Sequence, residues 1–267
     1  MYKAEENIWN RVKEHLEIIE NRNYNWIMIG LCGSQNYDLH HEFSDVDTNV
    51  ILLPAFEDFC LNRKPISTTS ILENNEHIDL KDIRLMFQCF RKQNLNFVEL
   101  LFSKYMFVNI KYIPFFNPLI ERREEIAHYN NYLTVNCLVG MGMEKYKALE
   151  HPYPGIIEQI NKYGYDPKQL HHILRIEEFL KRYIKGESYE NCLISKEKNY
   201  LVKVKKGLYD LSGARYFAEK TIASLKRIKE DYKTAVPLKV NKAVDDLLNE
   251  VLVNLIKFSF KEELETI

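Results

Sequence analysis

Apolar residues recur at helical spacing over residues 5–21, where Ile8, Val12, Leu16 and Ile19 define one side of a predicted helix. The pattern then changes period. "NWIMIGLCG" is short, apolar and rich in β-formers, and it closes on Gly33, which predicts a buried strand followed by a turn. "VDTNVILLP" predicts a second strand, stopped by Pro54, and the mixed stretch "EHIDLKDI" a third. Helical spacing returns in "IRLMFQCFRKQNLNFVELLFS", and "YMFVNI" predicts an edge strand or a loop.

From about residue 120 the pattern is helical throughout, in blocks near 120–150, 166–186, 208–232 and 240–264. Breaks fall at "EHPYPG", "KGESYENCLISKEKNY" and "TAVPLKV". The expected fold class is therefore α/β (α+β): a small mixed β-sheet core with flanking helices over residues 1–118, then an α-helical domain over residues 119–267. No internal repeat or low-complexity tract interrupts it.

Composition narrows the class of function. The 267 residues carry 46% hydrophobic and 28% charged side chains, as a globular chain with a sizeable core does. A formal net charge of −1 argues against bulk attraction to nucleic acid or an anionic membrane. The five cysteines are isolated and odd in number, which suggests a reducing compartment and neither a disulfide framework nor a zinc site. The first twenty residues are acidic as well as basic, unlike a targeting peptide, and no apolar run approaches a membrane span. The expected location is the cytoplasm, with no membrane partner.

The candidate chemistry sits between the first two strands. Gly33-Ser34 ends the first, and ten residues later Asp45-Val46-Asp47 opens the second. Alternation along a strand puts Asp45 and Asp47 on one face and Val46 in the core. Two carboxylates side by side repel one another unless a cation lies between them, and Mg²⁺ binds through one or two carboxylates plus phosphate oxygens. Gly33 permits a tight turn with close ligand approach, and a helix starting at Ser34 would offer free N–H groups to a phosphate. A solitary Asp-x-Asp is usually a solvated turn. The joint arrangement is rarer, and it is the equipment of metal-assisted nucleotidyl transfer.

These residues resemble the minimal signature of the DNA polymerase β-type nucleotidyltransferase superfamily. Within it, "GSQNYDLHHEFSDVDTNVI" resembles the G-S-x-x-Y-G…S-D-x-D pattern of the RlaP-like nucleotidyltransferases. "RKQNLNFVELLFS" is similar to their K-x-N-P-x-x-x-E-x-L segment, and "YGYDPKQLHHILRIEEFL" to their G-Y-D-x-K-x-x-x-H-x-x-R helix. A weaker likeness continues through "VKKGLYDLS", so the resemblance spans most of residues 27–215 in order. Asp38, Leu95 and Lys205-Lys206-Gly207 depart from the pattern without touching Gly-Ser or Asp-x-Asp.

The resemblance implies a third acid on a neighbouring strand. Glu76, Asp79 and Asp82 are the candidates. Asp79 lies between Ile78 and Leu80 and is the expected ligand, whereas Asp82 precedes a predicted helix and reads as its N-cap. The resemblance also selects Lys168, His172 and Arg175, which fall within roughly 60° of one another on a helix opened by Asp166-Pro167. His171, unmatched, reads as an ordinary exposed or packing histidine. Tyr37 is expected to support the signature turn or pack in the core, and Glu99 to be structural or functional.

The resulting expectation is an enzyme that moves a nucleoside monophosphate from an NTP such as ATP to an acceptor hydroxyl on an RNA end, a protein side chain or a small molecule. Asp45, Asp47 and Asp79 would be catalytic and hold Mg²⁺ or Mn²⁺. Gly33, Ser34, Lys168, His172 and Arg175 would bind the nucleotide, and the helical domain would cover the site. The alternatives are a catalytically silent nucleotide- or RNA-binding module on the same scaffold, and an antitoxin-type enzyme that modifies a partner protein. Oligomeric state is not read from the chain.

Overall fold

A computed structural model describes residues 2–37, 39, 45–235 and 240–265. The chain divides into two compact units. The first comprises residues 1–36, 41–129 and 240–267, and the second residues 37–40 and 130–239.

The first unit is built on a mixed sheet of five strands: β1 (Trp26–Cys32), β2 (Asp47–Leu52), β3 (Ser67–Ile71), β4 (His77–Asp82) and β5 (Met106–Val108), in the order β3-β4-β2-β1-β5. β2 and β4 are parallel, and the other neighbouring pairs are antiparallel. Helix α1 (Tyr2–Asn21) lies across the back face. There Ile8, Val12 and Ile19 pack with Ile29, Leu31, Val50, Leu52, Ile78 and Leu80, the alternate residues of three adjacent strands. Val46 joins this core, as its place between two aspartates predicts.

The same unit holds α2 (Phe56–Cys60), α3 (Ile83–Arg91), α4 (Leu95–Val98), α5 (Ile113–Glu121) and α6 (Arg123–Ala127). The helical spacing over 83–103 is thus divided between separate elements. Gln93 has φ of +54°, and its side-chain amide donates to the carbonyls of Phe90 and Ile126, ending α3. Leu95, where the family pattern has proline, opens α4 behind the Asn94 cap. Met106–Val108 is an edge strand, one of the two readings that its sequence allowed. β3 went unread because "STTSI" has no buried face to impose alternation.

The second unit is helical: α7 (Asn131–Ala148), α8 (Ile157–Tyr163), α9 (Pro167–Tyr183), α10 (Tyr189–Leu193), α11 (Lys198–Lys205) and α12 (Leu211–Ala235). The last helix, α13 (Lys242–Glu265), belongs to the first unit. Arg91 of α3 donates to Asp245 at 2.8 Å, and Phe258 packs on Tyr112 and Phe115.

Candidate functional site

The front face of the sheet, opposite α1, carries the candidate chemistry. Strand alternation puts Asp47, Asn49 and Ile51 of β2 on this face. The register pairs Asn49 with Gly30 of β1 and with Asp79 of β4, and pairs Cys32 with Asp47. Asp47 and Asp79 therefore share one face of adjacent parallel strands, with Asn49 beside Asp79 across the strands and two residues along β2 from Asp47. Both carboxylates are half-buried. Asp47 Oδ1 accepts the His77 backbone N–H at 2.9 Å, and Asp79 Oδ1 accepts the Thr69 hydroxyl.

Cys32 reports the charge gathered here. Burial pushes its thiol well above the ordinary range, and the negative charges of Glu99, Asp47 and Asp79 add to that shift. Glu99 is itself buried, in a 3-10 turn at Glu99–Phe102. Beside Asp79 an open hollow of about 240 Å³ is lined by Ser67, Thr69, Lys81 and Phe97. The Lys81 ammonium lies 4.5 Å from the Phe97 ring centre and donates to Ser67.

Gly33 is bound to its conformation. Its φ of +79° is one that side chains resist, and a Cβ there would meet Asp47 Oδ2 at 3.9 Å. A single 3-10 turn, Ser34–Tyr37, begins at Ser34, closed by Asn36 N–H on the Gly33 carbonyl at 3.1 Å. A turn of that length sums too few peptide dipoles to act as a helix N-terminus. Asp47 opens β2, whereas Asp45 is exposed and precedes the strand, with its carbonyl accepting from Gln35 at 3.3 Å. Asp38, where the family pattern has glycine, lies outside the described residues.

The rival acids are resolved by position. Asp82 caps α3 through the Arg84 N–H at 2.8 Å and also pairs with the Arg84 guanidinium. Glu76 binds Arg11 and His15 of α1, on the back. Neither is a front-face acid.

In the second unit, Asp166 caps α9 by accepting from Lys168 N at 2.8 Å. Leu170, Ile173, Ile176 and Leu180 form the expected buried stripe. Lys168 is exposed. The Arg175 guanidinium stacks 3.6 Å from the centre of the Tyr37 ring, and Tyr37 is 2% exposed with its hydroxyl buried and unbonded among the described residues. His171 is a packing histidine, donating from Nδ1 to the Leu201 carbonyl at 2.9 Å. Burial, with His171 and the cations Arg175 and Lys168 adding to it, pushes the His172 pKa well below the ordinary range. The ring stays neutral near pH 7 and is no titrating switch there.

A divalent cation fits the donors of the front face. Asn49 is 4% exposed, and its Oδ1 is buried without a hydrogen-bond partner among the described residues. An orphaned buried carbonyl costs about 1–3 kcal/mol unless something meets it. Carboxylate and amide oxygens on one face are the hard donors that Mg²⁺ or Mn²⁺ takes. Among the described residues no three His, Cys, Asp or Glu side chains form a closed metal cluster. Asp45, Asp47 and Asp79 are therefore not gathered into a finished cage. The register brings Asp47 and Asp79 together and adds Asn49, which the sequence reading missed because an asparagine in a strand carries no motif.

Among the described residues no helix is long and apolar enough to cross a membrane. No protein-family model and no curated protein matches the chain. Among solved structures, it is similar to a nucleotidyltransferase-like protein from Exiguobacterium sibiricum 255-15, at 12% identity and a TM-score of 0.32, over 84% of this chain and 75% of the other.

Proposed function

We propose that this protein is a nucleotidyltransferase that moves a nucleoside monophosphate from an NTP to an acceptor hydroxyl, with Mg²⁺ or Mn²⁺ as cofactor. The observation that carries the reading is the front face on which Asn49 pairs across the strands with Asp79 and lies two residues along β2 from Asp47, with Gly33 against Asp47. The acceptor oxygen bonds to the α-phosphorus, the bond from that phosphorus to the bridging oxygen breaks, and pyrophosphate leaves.

A bound Mg²⁺ would neutralise phosphate charge and orient the triphosphate for in-line displacement. Asp47, Asp79 and the Asn49 oxygen would hold it, with Asp45 reaching in from the segment before the strand. Asp79, next to the open hollow, would also take the proton of an acceptor hydroxyl entering there. Gly33 and Ser34 would leave room for the triphosphate. Lys168, His172 and Arg175 of the helical unit would contact its phosphates. An RNA end, a protein side chain or a small molecule could each supply the hydroxyl.

Incubation with each α-³²P-labelled NTP, Mg²⁺ and RNA or protein acceptors tests the reading. Label should pass to an acceptor with the wild-type chain and not with Asp47→Asn. Transfer that survives in a folded Asp47→Asn variant would overturn it.

A further inference from the structure

Directly behind the front face, the apolar core is interrupted by a buried polar group. His15 of α1 has no solvent exposure. Its Nδ1 lies 3.0 Å from Thr48 Oγ1 and its Nε2 lies 3.0 Å from Glu76 Oε2. A carboxylate only accepts, so Nε2 carries the ring proton and the Thr48 hydroxyl donates to Nδ1. Burial lowers the pKa of His15 against the opposing pull of Glu76, which suits this neutral tautomer.

Glu76 collects further donors. Arg11 reaches it through Nε at 3.2 Å and through Nη2, and the backbone N–H of Val46 reaches Oε1 at 3.4 Å. Burial works to raise the Glu76 pKa, but hydrogen bonds from Arg11, Asn74 and His15 outweigh it and hold the carboxyl ionised. Val46 is the residue between the two aspartates, and Thr48 the residue after the second. The next residue along the chain from Glu76, His77, donates its N–H to Asp47. The turn between β3 and β4 thus grips the Asp-Val-Asp segment twice, by a side chain behind the sheet and by a backbone amide beside it.

Buried ion pairs of this kind add little net stability over apolar packing of the same volume. What they impose is direction, because each partner accepts one geometry. Asp45 precedes β2 and Asp47 is its first residue, so regular strand pairing does not hold this segment on both sides.

We propose that Arg11, His15 and Glu76 are positioning residues that lock the Val46 peptide and so set the Asp47 carboxylate on the front face for a divalent cation. This rests on the front face being a cation-dependent nucleotidyl-transfer site, and the test separates the two. The variant is the triple replacement Arg11→Met, His15→Leu and Glu76→Leu, which removes the network without stranding a charge. Mn²⁺ binding is followed by electron paramagnetic resonance and amide exchange at Val46 and Asp47 by NMR, alongside nucleotidyl transfer. The triple variant should melt near the wild type. Its Mn²⁺ dissociation constant should rise about tenfold or more, and kcat should fall similarly with little change in KM for the nucleotide. Exchange at Val46 should quicken by about tenfold. Glu76→Gln, which keeps an acceptor for the Val46 amide, should recover most of the Val46 protection, and it supplies the answer if the triple variant does not fold.

Unchanged Mn²⁺ affinity and unchanged exchange in a folded variant would overturn the proposal. If wild type binds Mn²⁺ through Asp47 but transfers no nucleotide, transfer alone is wrong, and the binding and exchange readouts still decide the positioning role. Wild-type protein that binds no Mn²⁺ through Asp47 overturns both.

Discussion

At the residue scale, Asp47 gives the sharpest test of the proposed chemistry. Asp47→Asn keeps an acceptor for the His77 amide and removes one negative charge from the neighbourhood of Asp79 and Glu99. It should leave the melting temperature unchanged or slightly raised while abolishing transfer, measured by calorimetry beside the radiolabel assay. Gly33 separates differently. At φ of +79° a β-branched side chain is strained whatever the space, so Gly33→Val should cost about 1–2 kcal/mol of stability and also weaken nucleotide binding. Unchanged ATP affinity in the folded valine variant would place the nucleotide elsewhere. The glycine and the aspartates were legible because turn chemistry and charge repulsion act over a few residues. Asn49, His15 and Glu76 were not. Their roles depend on strand register and on which helix face meets the sheet, and neither is written in local spacing.

At the element scale, α9 shows how a correct periodicity hides an electrostatic consequence. Its buried stripe follows from the spacing of Leu170, Ile173, Ile176 and Leu180. Nothing in that spacing says that His171 would be sealed against α11. Burial pushes the His171 pKa down to about 4, from 6.5 when free. The unfolded chain therefore binds the proton more readily, and the stability due to the neutral ring is complete above pH 6.5. It is lost as pH falls from 6.5 towards 4, by on the order of 3 kcal/mol. His172 is shifted in the same direction and adds to the loss. Urea unfolding between pH 4.5 and 7.5 should show that slope, and His171→Gln should reduce it, leaving the part due to His172. Glu187, held at about 2 by Arg182, acts with the same sign, but only below the ordinary carboxylate range. A slope unaltered by His171→Gln would mean that the ring is not buried as described.

At the scale of the whole molecule, the helical unit, residues 37–40 apart, is a single insertion in the chain of the sheet-bearing unit. The chain leaves the first unit after Tyr129 and re-enters it at Val240, and Asn241 N–H donates to the Tyr129 carbonyl at 3.0 Å. Departure and return are thus hydrogen-bonded neighbours. The periodicity of α13 gave no hint of this, because Val244, Leu248, Val251 and Leu255 announce a buried stripe but not its partner. The partner is decided by long-range pairs such as Arg91 with Asp245. A chain with residues 130–239 replaced by a turn of about four residues should therefore fold cooperatively. Tyr37→Ser should accompany the excision, since Tyr37 loses the Arg175 guanidinium that stacks on its ring. The shortened protein should keep Asp47-dependent Mn²⁺ binding, because Asp47, Asn49 and Asp79 all lie on the retained sheet. It should bind ATP more weakly, if Lys168 and Arg175 contact phosphates. In the intact chain each of Lys168→Ala and Arg175→Ala should then cost ~1.5–3 kcal/mol in nucleotide binding. Lys168→Ala is the cleaner measurement, since Lys168 is exposed and Arg175 also stacks on Tyr37. ATP affinity equal in the intact chain, the shortened chain and Lys168→Ala would confine nucleotide recognition to the sheet and remove the basic helix from the site.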